Sequence, residues 1–194
     1  MSPTLPRGHD GLLCDLDGVV YAGGGAVPGA VETLTALAER GVPVGFVTNN
    51  ASRAPESVAE HLRSLGVPAR PEQVFGSAPA GVDLLEETLG ARTGRVLVVG
   101  SDYLRQVVRD RGFEVVAAAQ DRPDAVIQGF DPGVGWAELA QAAYAVNAGA
   151  AWVATNLDAS IPRAEGIAPG NGALVGAVGQ ATGTAPAAAG KPEP

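Results

Sequence analysis

Two hydrophobic periods alternate along this chain, one suited to strands and one to helices. Residues 11–15 (GLLCD) form a short apolar run closed by an acid, which predicts a buried strand. The glycine-rich stretch 18–29 is excluded from any helix interior. Pro28 then opens a helix through Arg40, with Val31, Leu34, Leu37 and Ala38 on one face and Gly41 as its stop. Residues 43–47 (PVGFV) predict a second strand, closed by Thr48-Asn49-Asn50. Residues 54–65 predict another helix, with Pro55 in its first turn and Gly66 just past its end.

The same rhythm continues downstream. Residues 83–89 predict a helix, 96–99 (VLVV) a strand and 103–111 a helix ended by Gly112. A strand follows at 125–128, a longer helix at 136–147 and a strand at 152–154. Residues 172–180 predict a helix despite their glycines, and 181–190 a loop or a strand of small residues. Strands alternating with helices predict an α/β fold on a parallel sheet, with ligands outside the carboxyl ends of the strands.

Composition narrows the function classes. The 194 residues are 46% hydrophobic and 18% charged, which suits one globular domain or a compact core with an inserted module. The formal net charge of -8, with no basic run, argues against a nucleic-acid partner. An acidic protein that handles phosphate must recruit positive charge locally, from a metal, a lysine or backbone N–H groups. Cys14 is the only cysteine, so no internal disulfide forms and a reducing compartment fits. The opening, Met1 to Asp10, has neither a basic start nor an apolar signal core, and no apolar run reaches membrane-spanning length. A cytoplasmic protein without a membrane partner is expected.

Candidate chemistry begins at Asp15-Leu16-Asp17-Gly18-Val19. Residues two apart on a strand share a face, so both carboxylates are expected to look into one pocket. Like charges that close call for a cation, and Mg²⁺ favours one or two carboxylates plus waters and phosphate oxygens. One carboxylate then suits attack on phosphorus, and the other suits proton transfer to the leaving alkoxide and from water. The alternative is a hairpin pairing 12–16 with 19–22 about the Asp-Gly turn. Thr48 supplies a hydroxyl at the next strand end, and Asn49 and Asn50 supply amides, although such residues also punctuate ordinary strand ends. Gly190-Lys191-Pro192 places an ammonium that suits a phosphate oxygen, the alternative being a solvated lysine in a tail. A P-loop is excluded, because Ala185 stands where it needs glycine and Pro192 where it needs Ser or Thr.

In this order the motifs resemble the haloacid-dehalogenase-like (HAD) phosphatase superfamily. Asp15-Leu16-Asp17-Gly18-Val19 is similar to its first motif, Thr48-Asn49-Asn50 to its second and Gly190-Lys191-Pro192 to its third. The segments Val19-Val20-Tyr21, Val27-Pro28-Gly29-Ala30, Ala154-Thr155-Asn156-Leu157-Asp158 and Gly170-Asn171-Gly172-Ala173-Leu174 resemble one branch. That branch contains the NagD-type, p-nitrophenylphosphatase-like, phosphoglycolate and glycerol-3-phosphate phosphatases. The resemblance spans almost the whole chain.

It implies a Rossmannoid parallel-sheet core with an inserted α/β cap of the C2 type. Residues 1–77 would be core, 78–175 cap and 176–194 core again, since Lys191 follows Thr48 by 143 positions. By the same resemblance Asp15 is the nucleophile and Asp17 the general acid/base. The Asp15 side chain and the Asp17 backbone carbonyl would hold Mg²⁺, while Thr48, Asn49 and Lys191 would hold the transferring phosphate. The implied substrate is a small phosphorylated metabolite, with glycerol 3-phosphate or 2-phosphoglycolate as first candidates. A sugar-phosphate or nucleotide phosphatase stays open, as does a non-catalytic phospho-accepting or phosphate-binding module. Contacts between caps imply a homodimer. A fourth, acidic motif is expected some tens of residues after Lys191, so the sequence is expected to be a piece of a longer chain, with its core truncated at the C-terminus, the alternative being a protein that lacks this motif.

Within the cap, Asn156, Asp158, Arg163 and Glu165 lie in the polar loop after strand 152–154 and are candidates for substrate selection. Arg163 suits a second anionic group on the substrate, and loop charges with turn-forming Asn and Asp are the alternative. His61 is read as a surface residue. Cys14 points to the face opposite Asp15 and is read as a packing residue.

Overall fold

Two contact units divide the chain: Met1–Thr48 with Ala54–Phe75, and Asn49–Arg53 with Gly76–Pro194. The structure, a computed structural model, describes residues 9–163 and 165–193. The opening stretch read for a targeting signal lies outside the described residues as far as position 8.

In the first unit the elements run β1 (Leu12–Asp15), β2 (Tyr21–Ala22), β3 (Gly25–Ala26), α1 (Ala30–Glu39), β4 (Val44–Thr48), α2 (Pro55–Ser64) and β5 (Val74–Gly76). The sheet order is β1-β4-β5, with β1 parallel to β4 and Cys14 opposite Phe46. Cys14, Leu16, Val44 and Phe46 turn to one face, where they meet Leu34 and Leu37 of α1 and Val58, Ala59 and Leu62 of α2. Pro55 opens α2 from the first turn, where its missing N–H leaves no intrahelical bond unmade.

The first strand departs from its expected full burial. Leu13 is 75% exposed and Phe75 55%, with Gly45 between them on the same open face. Both helices of this unit pack on the other side, whereas parallel sheets are ordinarily covered on both. The apolar run of β1 therefore has one buried side only.

In the second unit the elements run α3 (Ser77–Leu89), β6 (Arg95–Val99), α4 (Asp102–Asp110), β7 (Glu114–Val116), β8 (Ala125–Gln128), α5 (Trp136–Asn147), β9 (Ala151–Ala154), β10 (Ser160–Arg163), β11 (Gly166–Pro169), α6 (Asn171–Thr182) and β12 (Ala187–Ala188). The main sheet has the order β12-β9-β8-β6-β7, and its neighbours pair in parallel. One face carries Val96, Val98, Ala125, Ile127 and Val153 against α3 and α4. The other carries Leu97, Val99, Val126, Trp152 and Ala154 against α5 and α6. With both faces covered, all four residues of β8 are buried. Burying Ile127 alone stabilises by roughly 1.5–3 kcal/mol.

Two elements differ from the sequence reading, and a third decides an open one. The helix expected from position 83 begins at Ser77, because Pro79 falls in the first turn, where its missing N–H costs nothing. The polar stretch holding Arg163 is an antiparallel hairpin of β10 and β11. Residues 187–188 form the small-residue strand that was one of two readings for 181–190, and it pairs with β9 in the second unit's sheet. Among the described residues no helix is long and apolar enough to cross a membrane.

Candidate functional site

In the first unit the acidic pair ends β1. The alternation is complete: Cys14 and Leu16 are buried, while Asp15 and Asp17 are exposed. Both carboxylates thus leave the same side of the chain, as the two-residue period requires. The alternative hairpin does not form. Tyr21–Ala22 pairs with Gly25–Ala26, and β1 pairs with β4. A tight turn follows instead, with Val20 N–H and Tyr21 N–H donating to Leu16 O at 2.9 and 3.2 Å. Leu16 N–H also donates to Asp15 Oδ1 at 2.7 Å, which holds that carboxylate at the strand end.

Gly18 sits in the turn at φ 80, a conformation that penalises any Cβ even where space is open, as it is here. Gly18→Ala is expected to cost about 1–2 kcal/mol of stability, read as a lowered midpoint in urea unfolding. Thr48 closes β4 and is buried. Asp15 on the neighbouring strand stands opposite Val47, the residue before it. His61 is half-buried rather than a surface residue, because its ring meets Tyr21 edge-on at 5.0 Å.

Asp15 and Asp17 offer hard oxygen donors on one side of the chain, a set that fits Mg²⁺, which needs only one or two carboxylates. Among the described residues no group of three or more His, Cys, Asp or Glu is arranged to hold a metal alone. Waters and substrate oxygens would complete such a shell.

In the second unit Asn49, Asn156, Asp158 and Lys191 form one hydrogen-bonded cluster. Asn49 Nδ2 donates to Asp158 Oδ1 and Oδ2, both at 3.1 Å, and to Lys191 O at 3.0 Å. Lys191 N–H donates to Asn49 Oδ1 at 2.8 Å. Asn156 Nδ2 donates to Asn49 O at 2.9 Å, and Asp158 N–H to Asn156 Oδ1 at 3.1 Å. The tail reading of Lys191 fails, since its main chain is tied to a residue 142 positions earlier.

The other two cap candidates lie elsewhere. Arg163 ends β10 with its guanidinium 5.6 Å from the Phe130 ring centre, and Glu165 is exposed in the hairpin turn. Sequence reasoning missed Asn171 as a site-building residue. It is buried at the start of α6, where Nδ2 donates to Asn156 O at 2.8 Å and to Gln128 O at 3.3 Å. A polar residue between two glycines at a helix start was the available signal. Ser77 was missed as well, and its Oγ donates to Asn49 O at 2.6 Å.

Comparison with known proteins agrees with these motifs. Residues 12–114 match a family described as haloacid dehalogenase-like hydrolase. The chain is 46% identical over 191 residues to D-glycerol 3-phosphate phosphatase of Mycobacterium tuberculosis, covering 98% of this chain and 53% of that protein. It is 36% identical over 188 residues to the acid sugar phosphatase of Staphylococcus haemolyticus, covering 97% of this chain and 70% of that protein. A solved structure of the M. tuberculosis glycerol phosphate phosphatase in complex with magnesium superposes with a TM-score of 0.89 at 47% identity, over 96% of this chain and 56% of that one. The chain thus spans about half the length of the glycerol phosphate phosphatases it matches.

Proposed function

Because the chain belongs to the haloacid dehalogenase-like hydrolase family, we propose that it takes part in hydrolysing a small organic phosphate monoester, glycerol 3-phosphate first among candidates. The observation that carries this reading is the alternation at the end of β1, which turns Asp15 and Asp17 outward together.

In this reading Asp15 attacks phosphorus through a carboxylate oxygen as the ester P–O bond breaks, and an aspartyl-phosphate forms. Asp17 gives its proton to the leaving alkoxide. It then takes a proton from water as that water attacks phosphorus, which releases inorganic phosphate and restores the Asp15 carboxylate. Thr48 Oγ and the Lys191 ammonium hold phosphoryl oxygens in line for both displacements. Mg²⁺, held by the Asp15 carboxylate and the Asp17 carbonyl, would neutralise charge on those oxygens. Asn49 contributes through its main-chain N–H, since both ends of its side chain are engaged.

In the same reading residues 1–77 and 176–194 count as core, and 78–175 as a substrate-selecting cap. Asn156 and Asp158 are the cap residues bonded to Asn49, which in turn bonds the main chain of Lys191. A homodimer through the cap and a cytoplasmic setting belong to the same reading. Glycerol 3-phosphate is favoured over a sugar phosphate by the higher identity to the glycerol phosphate enzyme, 46% against 36%.

Phosphate release from glycerol 3-phosphate, 2-phosphoglycolate, sugar phosphates and a nucleotide, each with Mg²⁺ and with excess chelator, tests the proposal. Release from glycerol 3-phosphate at least about tenfold above the sugar phosphates, and lost with chelator, is expected. Release from sugar phosphates alone would move the substrate to the second class. No release from any monoester would overturn the catalytic reading.

A further inference from the structure

Resting on the reading of Lys191 as a phosphate-binding lysine, we propose that the Asn49 side chain is a positioning residue that sets the main chain of Lys191 and the carboxylate of Asp158 together. The carboxamide is used at both ends. One Nδ2 hydrogen goes to Lys191 O at 3.0 Å and the other is shared between the Asp158 oxygens at 3.1 Å each. Oδ1 accepts Lys191 N–H at 2.8 Å. The side chain therefore meets both peptide groups of one residue, as a neighbouring strand would. Its orientation follows from chemistry, because the flipped amide would set Oδ1 against a carboxylate and a carbonyl.

The identity of residue 49 is narrow for the same reason. Aspartate offers no donor, alanine offers nothing, and glutamine is a methylene too long. Asn49 is itself held from behind, its carbonyl accepting from Ser77 Oγ and Asn156 Nδ2. An independent observation points the same way. Gly190 has φ 74, and a Cβ there would stand 2.7 Å from Thr155 O and 2.9 Å from Asn49 Oδ1. Only glycine lets the chain before Lys191 come this close to the carboxamide.

The consequence concerns the lysine's aim. Its four-carbon stem is flexible, so the reach of the ammonium is defined only as well as the Cα from which it starts. Fixing that Cα in advance removes part of the ordering cost of gripping a phosphate.

Amide hydrogen exchange on the purified chain tests this without turnover. In Asn49→Ala the Lys191 N–H is expected to exchange about tenfold faster or more, the scale of one lost hydrogen bond, while amides of β8 and β9 stay within about twofold. Asn49→Asp alone keeps the acceptor for Lys191 N–H but opposes two carboxylates. Adding Asp158→Asn reverses donor and acceptor across that pair but leaves an oxygen of residue 49 facing Lys191 O, so protection of Lys191 is expected to return only in part. Unchanged exchange in Asn49→Ala, or no recovery in the paired variant, overturns the proposal. Loss of protection throughout β8 and β9 overturns it too, since that marks a merely structural role. A chain that shows the expected exchange but releases no phosphate keeps the clamp and loses the reading of Lys191.

Discussion

Asp15→Asn is expected to slow phosphate release about 10⁴-fold or more, a loss of ~5.5 kcal/mol in transition-state stabilisation. A carboxamide is neutral and attacks phosphorus poorly, and it also removes negative charge from the oxygen set suited to Mg²⁺. The fold should be spared. Asp15 is exposed at the end of β1, and its hydrogen bond from Leu16 N–H at 2.7 Å needs only an Oδ1, which asparagine retains. Release assayed with glycerol 3-phosphate and Mg²⁺ is read beside a thermal melt, where the midpoint should move by no more than about 2 °C. Turnover kept within tenfold of the parent would remove Asp15 from the nucleophile's role.

The largest expected loss of stability lies at Gly172, the second residue of α6. A Cβ there would overlap Leu157 O and come within 3.0 Å of Asp158 C, both main-chain atoms that cannot rotate aside. Gly172 N–H also donates to Asp158 O at 2.8 Å, so helix start and loop are bound at the same point. Either α6 or the 157–158 segment must move, and overpacking of this kind costs up to about 3 kcal/mol. For a chain of this length, ~3 kcal/mol lowers the melting midpoint by roughly 6–12 °C. Gly176→Ala provides the control on the same helix, since nothing lies within 4 Å of its Cβ position. Higher helix propensity there should keep or raise the midpoint, by about 1 kcal/mol at most. Equal melting of both variants would show that the 157–158 segment yields freely.

That segment also shows where local reasoning stops. The strand at 125–128 and the helix at 136–147 are legible in sequence to the residue, because apolar runs, caps and breakers act on their own neighbours. Pro79 and Gly81 conceal the first turns of α3 by the same local logic, since a breaker in the first turn looks like one in the interior. The open face of Leu13 and Phe75 is not legible, because an apolar run does not say which side its partners cover.

At the site, sequence alone determined the residue types, their order and the two-residue spacing of Asp15 and Asp17. It left the Asp-Gly hairpin standing, and only the parallel pairing of β1 with β4 removed it. It grouped Asn156, Asp158, Arg163 and Glu165 by proximity in the chain. Tertiary structure divided them, giving Asn156 and Asp158 to Asn49 and setting Arg163 over Phe130. The physical reason is range. Propensity and periodicity work over one or two turns, whereas the bonds of Asn49 span 107, 109 and 142 positions and exist only once the chain has closed on itself.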